Sequence, residues 1–270
     1  MSSLFLYHNG RRGEVLLCRA LYRAVLAAST ELVVGACRGD GELFAGLGPR
    51  CRVVESSFRN TAHGAPLDLI AHCPPGMTAI EVWLGGNESV PTYQWPDVVD
   101  AFPRDLRRHG RDLVVADSRG PVPMLDFAGD IAMPPLRRPS IYLDTARTAN
   151  DACWFVYDLE RLARVLPEHD LLCTAPPPCV AENVVDISHL AWSARSRLSE
   201  ACEALVGTTM DPFVVTMTAA NRWRPKALCG YDARVQAPFW DYPGNPMELL
   251  ATMDELVDFL LANVVERSCR

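Results

Sequence analysis

At 270 residues, with 49% hydrophobic, 22% charged and 8% aromatic side chains, the chain has a globular composition, too apolar for disorder and too evenly mixed for a fibre. Lys and Arg number 26 against 33 Asp and Glu, a net charge of −7. That balance weighs against an open DNA or RNA groove, because phosphate binding is driven largely by cations displacing condensed counterions.

The first forty residues alternate an apolar run (SLFLYHN), a helical pattern (GEVLLCRALYRAVLAA) and a second apolar run (ELVVGAC). In the helix Val15, Leu16, Cys18, Leu21, Tyr22, Val25 and Leu26 recur at three- and four-residue spacing, as one buried face requires. A short helix is predicted at GELFAGL and a strand at CRVVES. The stretch from Asn60 to Gly76 holds too many breakers for a long element. TAIEVWLGG reads as a strand, DVVDAFPRDLRRHG as a helix interrupted by Pro103, and RDLVVADS as another strand.

Prolines at 121, 123, 134, 135 and 139 mark residues 119–139 as a linker. Beyond it the alternation restarts: strand SIYLDTA, helix FVYDLERLARVLPEH, strands DLLCTA and VVDIS, helix AWSARSRLSEACEAL, strand ALVG, helix DPFVVTMTAA and a strand near KALCG. A last helix is predicted over PMELLATMDELVDFLLANV, capped by Asn245, with Pro246 at its first position and Glu248 at capping-box spacing. Two such runs imply two α/β domains, 1–137 and 138–270, with mainly parallel sheets. A cleft between the domains is then the default ligand site.

The N-terminal apolar run lacks a basic n-region and fits a first strand better than a signal peptide. No segment approaches the ~20 uninterrupted apolar residues needed to cross a bilayer. Ten cysteines without a C-x-x-C pair read as scattered, mostly buried thiols of a cytoplasmic protein. No metal is expected, since His63, His72 and Cys73 lack ligand-like spacing. P-loop, G-x-G-x-x-G, G-x-S-x-G and H-E-x-x-H motifs are absent.

Lys226 is the only lysine, so any bound phosphate must be held by arginine forks, hydroxyls and backbone N–H groups. In HNGRRGEVLL, a glycine turn puts Glu14 at the head of an apolar helix. A carboxylate there suits a catalytic base, but it is also favoured electrostatically whatever its function. Arg147, with Thr145 and Thr148, follows the first strand of the second half. An arginine there either supports a diphosphate or is simply exposed. Glu182 and Asp186 border later strands, where they either reach a ribose or are solvated. Arg222, Arg224 and Lys226 form a basic cluster that either meets a phosphate or acidic acceptor or is a solvated loop. Gly86, Asn87 and Glu88 follow a predicted strand near Trp83, Tyr93 and Trp95, aromatics that either stack on an acceptor or pack in the core.

GEVLLCRALYRAV resembles the opening of the heptosyltransferase-like glycosyltransferases of GT-B fold, and VVDISHLAWSARSRLSEACEALVGTTMDPFVVTMTAA is similar to that family's donor half. The resemblance implies two Rossmann-like domains facing across a cleft, the first holding the acceptor and the second a nucleotide sugar. Glu14 stands where the family's acidic general base, usually aspartate, is found. Thr145, Arg147, Thr148, Glu182, Thr208, Thr209 and Asp211 become donor-binding candidates, and Arg11, Arg12, Gly86, Asn87 and Glu88 acceptor-binding ones. After Gly207 the family's usual acidic residue and histidine are missing at their aligned positions, with Asp211 two residues away. The expected activity is inverting, metal-independent transfer of a sugar to the hydroxyl of a small-molecule or glycan acceptor, with no resident cofactor. Two alternatives remain open: the same fold acting on a modified DNA base or a natural product, and a non-catalytic binding protein.

Overall fold

The computed structural model describes residues 3–7, 12–17, 19–57, 67–82, 106–110, 125, 127, 133–146, 155–208, 213–230 and 246–265. The strand expected at 111–118 and most of the proline-rich linker lie outside these residues. The chain divides into two compact units, Met1–Gly129 with Tyr242–Gly244, and Asp130–Asp241 with Asn245–Arg270.

In the first unit β1 (Leu4–Tyr7) leads into α1 (Arg12–Leu17) and α2 (Arg19–Ala28), followed by β2 (Leu32–Ala36), β3 (Cys51–Glu55) and β4 (Thr78–Glu81). The four strands are parallel in the order β3-β2-β1-β4. Every residue of β1 and β2 is buried, which is why both read as continuous apolar runs rather than alternating ones. Leu21, Tyr22, Val25 and Leu26 form the buried face of α2 expected from their spacing. Phe5, Tyr7, Val33, Cys37 and Leu69 pack together as a separate cluster. Gly35 in β2 is what lets Phe5 lie flat there, since a Cβ at that position would come within 2.7 Å of the Phe5 ring.

GELFAGL forms only a 3-10 turn, Gly41–Phe44. Arg19 pins this turn to α2, its buried guanidinium donating to Leu43 O at 2.6 Å and to Ala45 O while lying 4.6 Å from the centre of the Phe127 ring.

The second unit contains β5 (Ser140–Leu143), α3 (Leu159–Val165), β6 (Asp170–Cys173), β7 (Val184–Asp186), α4 (Trp192–Ser199), β8 (Ala204–Gly207), β9 (Lys226–Cys229), β10 (Glu248–Leu250) and α5 (Met253–Leu260). Its six parallel strands run β10-β9-β8-β5-β6-β7. This is the doubly wound order, and connections leave in opposite directions from β5 and β8, the adjacent central strands. Ile141, Leu143, Leu171, Cys173 and Val206 meet α3 and α5 in one core. Asn183 fastens α3 to the turn before β6, its Nδ2 donating to the carbonyls of Ala163, Leu166 and His169 at 3.0–3.3 Å.

Three further elements differ from the local pattern. Glu248–Leu250, expected inside the last helix, is instead a strand, because β9 offers it a parallel edge and Leu250 a buried position. The helix then starts at Thr252, whose Oγ1 accepts from Glu255 N at 3.2 Å while the Glu255 carboxylate accepts from Thr252 N at 3.2 Å. That capping box replaces the one expected from Asn245 and Glu248.

Of the helix expected over 211–220, the described residues show a helical Phe213 and then the 3-10 turn Val214–Thr216, while 211 and 212 lie outside the described residues. The carbonyl of Thr216, which a longer helix would need, accepts from Asn221 Nδ2 at 2.9 Å. The helix expected from Phe155 begins only at Leu159, where Asp158 accepts from Arg161 N at 2.9 Å.

Candidate functional site

In a doubly wound sheet the helices leaving the two central strands diverge, opening a crevice beyond their carboxyl ends. In the second unit this point lies beyond Leu143 and Gly207, the last residues of β5 and β8. Asp144 and Thr145 follow β5, Thr174 follows the adjacent β6, and Thr208 follows β8.

Asp144, Thr145 and Thr174 are linked by short contacts. Asp144 is fully buried and its N–H donates to Val206 O at 2.7 Å, locking the end of β5 against β8. Thr174 Oγ1 donates to Asp144 Oδ1 at 2.6 Å and accepts from Thr145 N at 3.0 Å and Ala146 N at 3.2 Å. Thr145 Oγ1 accepts from Ala175 N at 3.0 Å. One hydroxyl therefore joins two loops, and a buried carboxylate orients it.

Of the donor-binding candidates, Thr145 and Thr208 are brought to this point, and Thr208 is buried. Arg147, Thr148, Thr209 and Asp211 lie outside the described residues. Glu182 is not brought there. It precedes β7 at the amino edge of the sheet, 86% exposed, and pairs with Arg138 at 2.5 Å. A residue before a strand and one after it lie at opposite sheet edges, so the expectation placing Glu182 with Thr145 and Thr208 is corrected.

Asp186 closes β7, where Ser188 N donates to it at 2.8 Å. Hydrogen bonds from Ser188 hold this carboxyl below its ordinary range. Asp144 and Thr174, absent from the sequence-based candidates, become visible only through strand pairing. Leu143 and Cys173 are in register, so the residues that follow them meet.

The basic cluster has a different outcome. Lys226 is 2% exposed and donates from Nζ to the carbonyls of Asn221, Arg222 (3.0 Å) and Arg224 (3.2 Å). It closes a turn at the amino edge of β9, so its ammonium is committed to backbone oxygens. Burial, and secondarily Arg224, lowers its pKa to about 8.

In the first unit the corresponding point lies beyond β1 and β4. Tyr7 and Glu81 are in register there, and Tyr7 N–H and C=O groups belong to the ladder, with Val82 N donating to Tyr7 O at 2.8 Å. Burial, followed by the charge of the Glu81 carboxylate to which the phenol donates, raises the pKa of Tyr7. α1 carries Glu14, whose side chain lies outside the described residues. Arg12, an acceptor candidate, is engaged by the buried Asp40, with Nε donating to Oδ1 at 2.6 Å. Arg11, Gly86, Asn87 and Glu88 lie outside the described residues, as do Trp83, Tyr93 and Trp95.

Among the described residues no three His, Cys, Asp or Glu side chains gather as a metal ion would require, and no helix is long and apolar enough to cross a membrane.

No protein-family model and no curated protein sequence matches the chain. Solved structures do. The E. coli heptosyltransferase WaaC with ADP is 14% identical, with 100% of this chain and 99% of that chain covered and a TM-score of 0.53. The spinosyn forosaminyltransferase SpnP is 11% identical over 99% of this chain and 92% of that chain, with a TM-score of 0.51. The chain spans 59% of the length of the bacterial iron-containing dodecameric glycosyltransferase TibC, at 12% identity, 84% coverage of this chain and a TM-score of 0.48. At these identities the likeness is one of fold: the chain has the two-domain α/β architecture, with mainly parallel sheets, of GT-B glycosyltransferases such as WaaC and SpnP.

Proposed function

We propose that this chain is an inverting glycosyltransferase that moves a sugar from a nucleoside diphosphate donor to an acceptor hydroxyl. The observation that carries this reading is the central crossing of the second sheet, where Thr174 bonds Asp144 and Thr145 beyond β5 and β6 and Thr208 follows the adjacent β8, in a fold shared with sugar transferases. WaaC is seen with ADP, so ADP-sugars are the first donors to try.

In this reading the acceptor oxygen attacks the anomeric carbon as its proton passes to the carboxylate of Glu14. The bond from that carbon to the diphosphate oxygen breaks, its electron pair leaving with the diphosphate. Arg147 and Thr148, which follow β5 in the sequence, and Thr209 and Asp211, which follow β8, are the proposed supports of the departing group and the donor.

Calorimetry with ADP-, UDP-, GDP- and dTDP-sugars tests the reading. One donor is expected to bind, Thr208→Val to weaken it, and Glu14→Gln to leave it unchanged while abolishing transfer or slow donor hydrolysis. Failure of every donor to bind overturns the proposal, and full activity in Glu14→Gln removes Glu14 from its role.

A further inference from the structure

The amino edge of the second sheet carries a turn that the proposed sugar transfer does not use. Just before β9 the chain folds back, with Asn221 N donating to Thr218 O at 3.1 Å, Arg222 N to Ala219 O at 3.3 Å and Arg224 N to Asn221 O at 3.1 Å. Lys226 locks this turn from beneath, its buried ammonium donating to the carbonyls of Asn221, Arg222 and Arg224. Arg224 ties it to the end of α4, with Nη2 donating to Glu200 O at 2.9 Å. These side-chain bonds to carbonyls hold the turn in one shape.

What the turn presents outward is Trp223, 73% exposed and the only aromatic among the large exposed apolar side chains of the described residues. It is flanked by two arginines without acid partners. Among the described residues the Arg222 side chain has neither a hydrogen bond nor an ion pair; its Nε is closed to solvent without an acceptor, while its Nη groups reach the surface. Arg224 donates only to the Glu200 carbonyl, and its Nε is likewise buried without an acceptor. The Glu200 carboxylate does not serve them, because Arg197 engages it at 2.6 Å. A fixed indole between two guanidinium groups that lack a counter-charge has the make-up of an interface anchor: Trp and Arg dominate binding energy at interfaces, and a preorganised anchor loses little freedom on contact.

We propose that this turn is a docking surface for an acidic segment of a partner protein, an apolar side chain of that segment lying on Trp223 and its carboxylates accepting from the Nη groups of Arg222 and Arg224. The occupant follows from charge. Arg222, Arg224 and Lys226 stand within five residues that contain no Asp or Glu, in a chain whose net charge is −7. A nucleic acid would meet the overall negative field along its length, whereas a short acidic segment meets mainly the cationic patch. The turn lies at the opposite edge of the sheet from Thr145, Thr174 and Thr208, so docking there is independent of the proposed sugar transfer.

The test uses the full chain and two short synthetic peptides, one with a central leucine flanked by glutamates and one with glutamine in place of every glutamate. Calorimetry at low salt is expected to give the acidic peptide a Kd on the order of 10 μM, as a small contact with one aromatic anchor allows, and the glutamine peptide at least about tenfold weaker binding. Trp223→Ala and Arg222→Glu are each expected to weaken the acidic peptide about tenfold, while Arg164→Glu, the same charge change at an exposed position on α3, leaves it within about twofold. In unmodified protein the acidic peptide should shift the indole N–H NMR signal of Trp223, which Trp223→Ala identifies by its loss. Failure of the acidic peptide to bind, equal binding of the glutamine peptide, an unmoved indole signal, or unchanged affinity in folded Trp223→Ala or Arg222→Glu protein overturns the proposal. So does tighter binding of a single-stranded oligonucleotide than of the acidic peptide, or self-association of the chain that Trp223→Ala abolishes.

Discussion

Thr174 illustrates how much one hydroxyl settles at the candidate site. It donates to the buried Asp144 and accepts from two backbone N–H groups, so Thr174→Val removes three hydrogen bonds, although Ala146 N keeps its longer contact to Asp144 Oδ1 at 3.4 Å. The expected cost is about 1–3 kcal/mol, read as a lower urea midpoint, and Thr174→Ser is expected to recover most of it. If the donor lies beyond β5 and β8, Thr174→Val also weakens its binding in the calorimetric assay. Lys226 makes the contrasting case. Its three carbonyl partners in the 221–225 turn predict that Lys226→Met destabilises the chain by about 2–3 kcal/mol while leaving nucleotide affinity within twofold of wild type. The sequence marks Lys226 as singular and cannot say why, since what it bonds depends on how the turn before β9 folds back.

At the scale of elements, most strands and helices were legible and their ends were not. α2 follows its apolar spacing, and β1, β2, β5, β6 and β8 follow their short apolar runs. The misses share a cause. Glu248–Leu250 becomes a strand because β9 supplies backbone partners, and the segment after Phe213 stops after one turn because Asn221 takes the Thr216 carbonyl. Both are pairings with groups outside the segment, β9 in one case and the side chain of Asn221 just beyond it in the other, that override local preference.

Gly207 is a case where an element's end depends on packing. A Cβ there would meet the Phe213 ring at 2.7 Å, and Phe213 is fully buried. Gly207→Ala is therefore expected to cost about 1–3 kcal/mol in thermal or urea unfolding. Gly207→Ala combined with Phe213→Leu should lose less than the two single changes add up to, which a double-mutant cycle measures.

At the scale of the whole molecule, buried titratable groups set how stability varies with pH. Burial pushes Cys173 and Cys202 up to about 12 from 9.0, the nearby Cys179 and Asp186 adding to the effect at Cys173. The stability these thiols contribute is fully present below pH 9.0 and is lost as pH rises toward 12, because the unfolded chain releases its protons first. Lys226 works in the opposite sense. With its pKa lowered from 10.5 to about 8, the folded chain loses the proton first, so stability rises between those values. One lysine against two thiols predicts a rise from pH 8 to 9 and a fall above 9. Urea midpoints across about pH 7 to 11 check this, Lys226→Met removing the rise and the Cys173→Ala/Cys202→Ala pair flattening the fall.

By itself the sequence determined the alternation of strands and helices in two successive runs, and it picked out Thr145 and Thr208 as residues closing strands. Periodicity and breakers are local properties, so they survive without knowledge of the partners. Only the tertiary structure decided that β5 and β8 are the neighbours at the centre of the second sheet, that Thr174 joins Asp144 there, and that Glu182 stands at the opposite edge. It alone showed Lys226 turned inward. These depend on strand order and register, which bring together residues about thirty positions apart. No local pattern encodes that pairing, because many strand orders satisfy the same apolar runs.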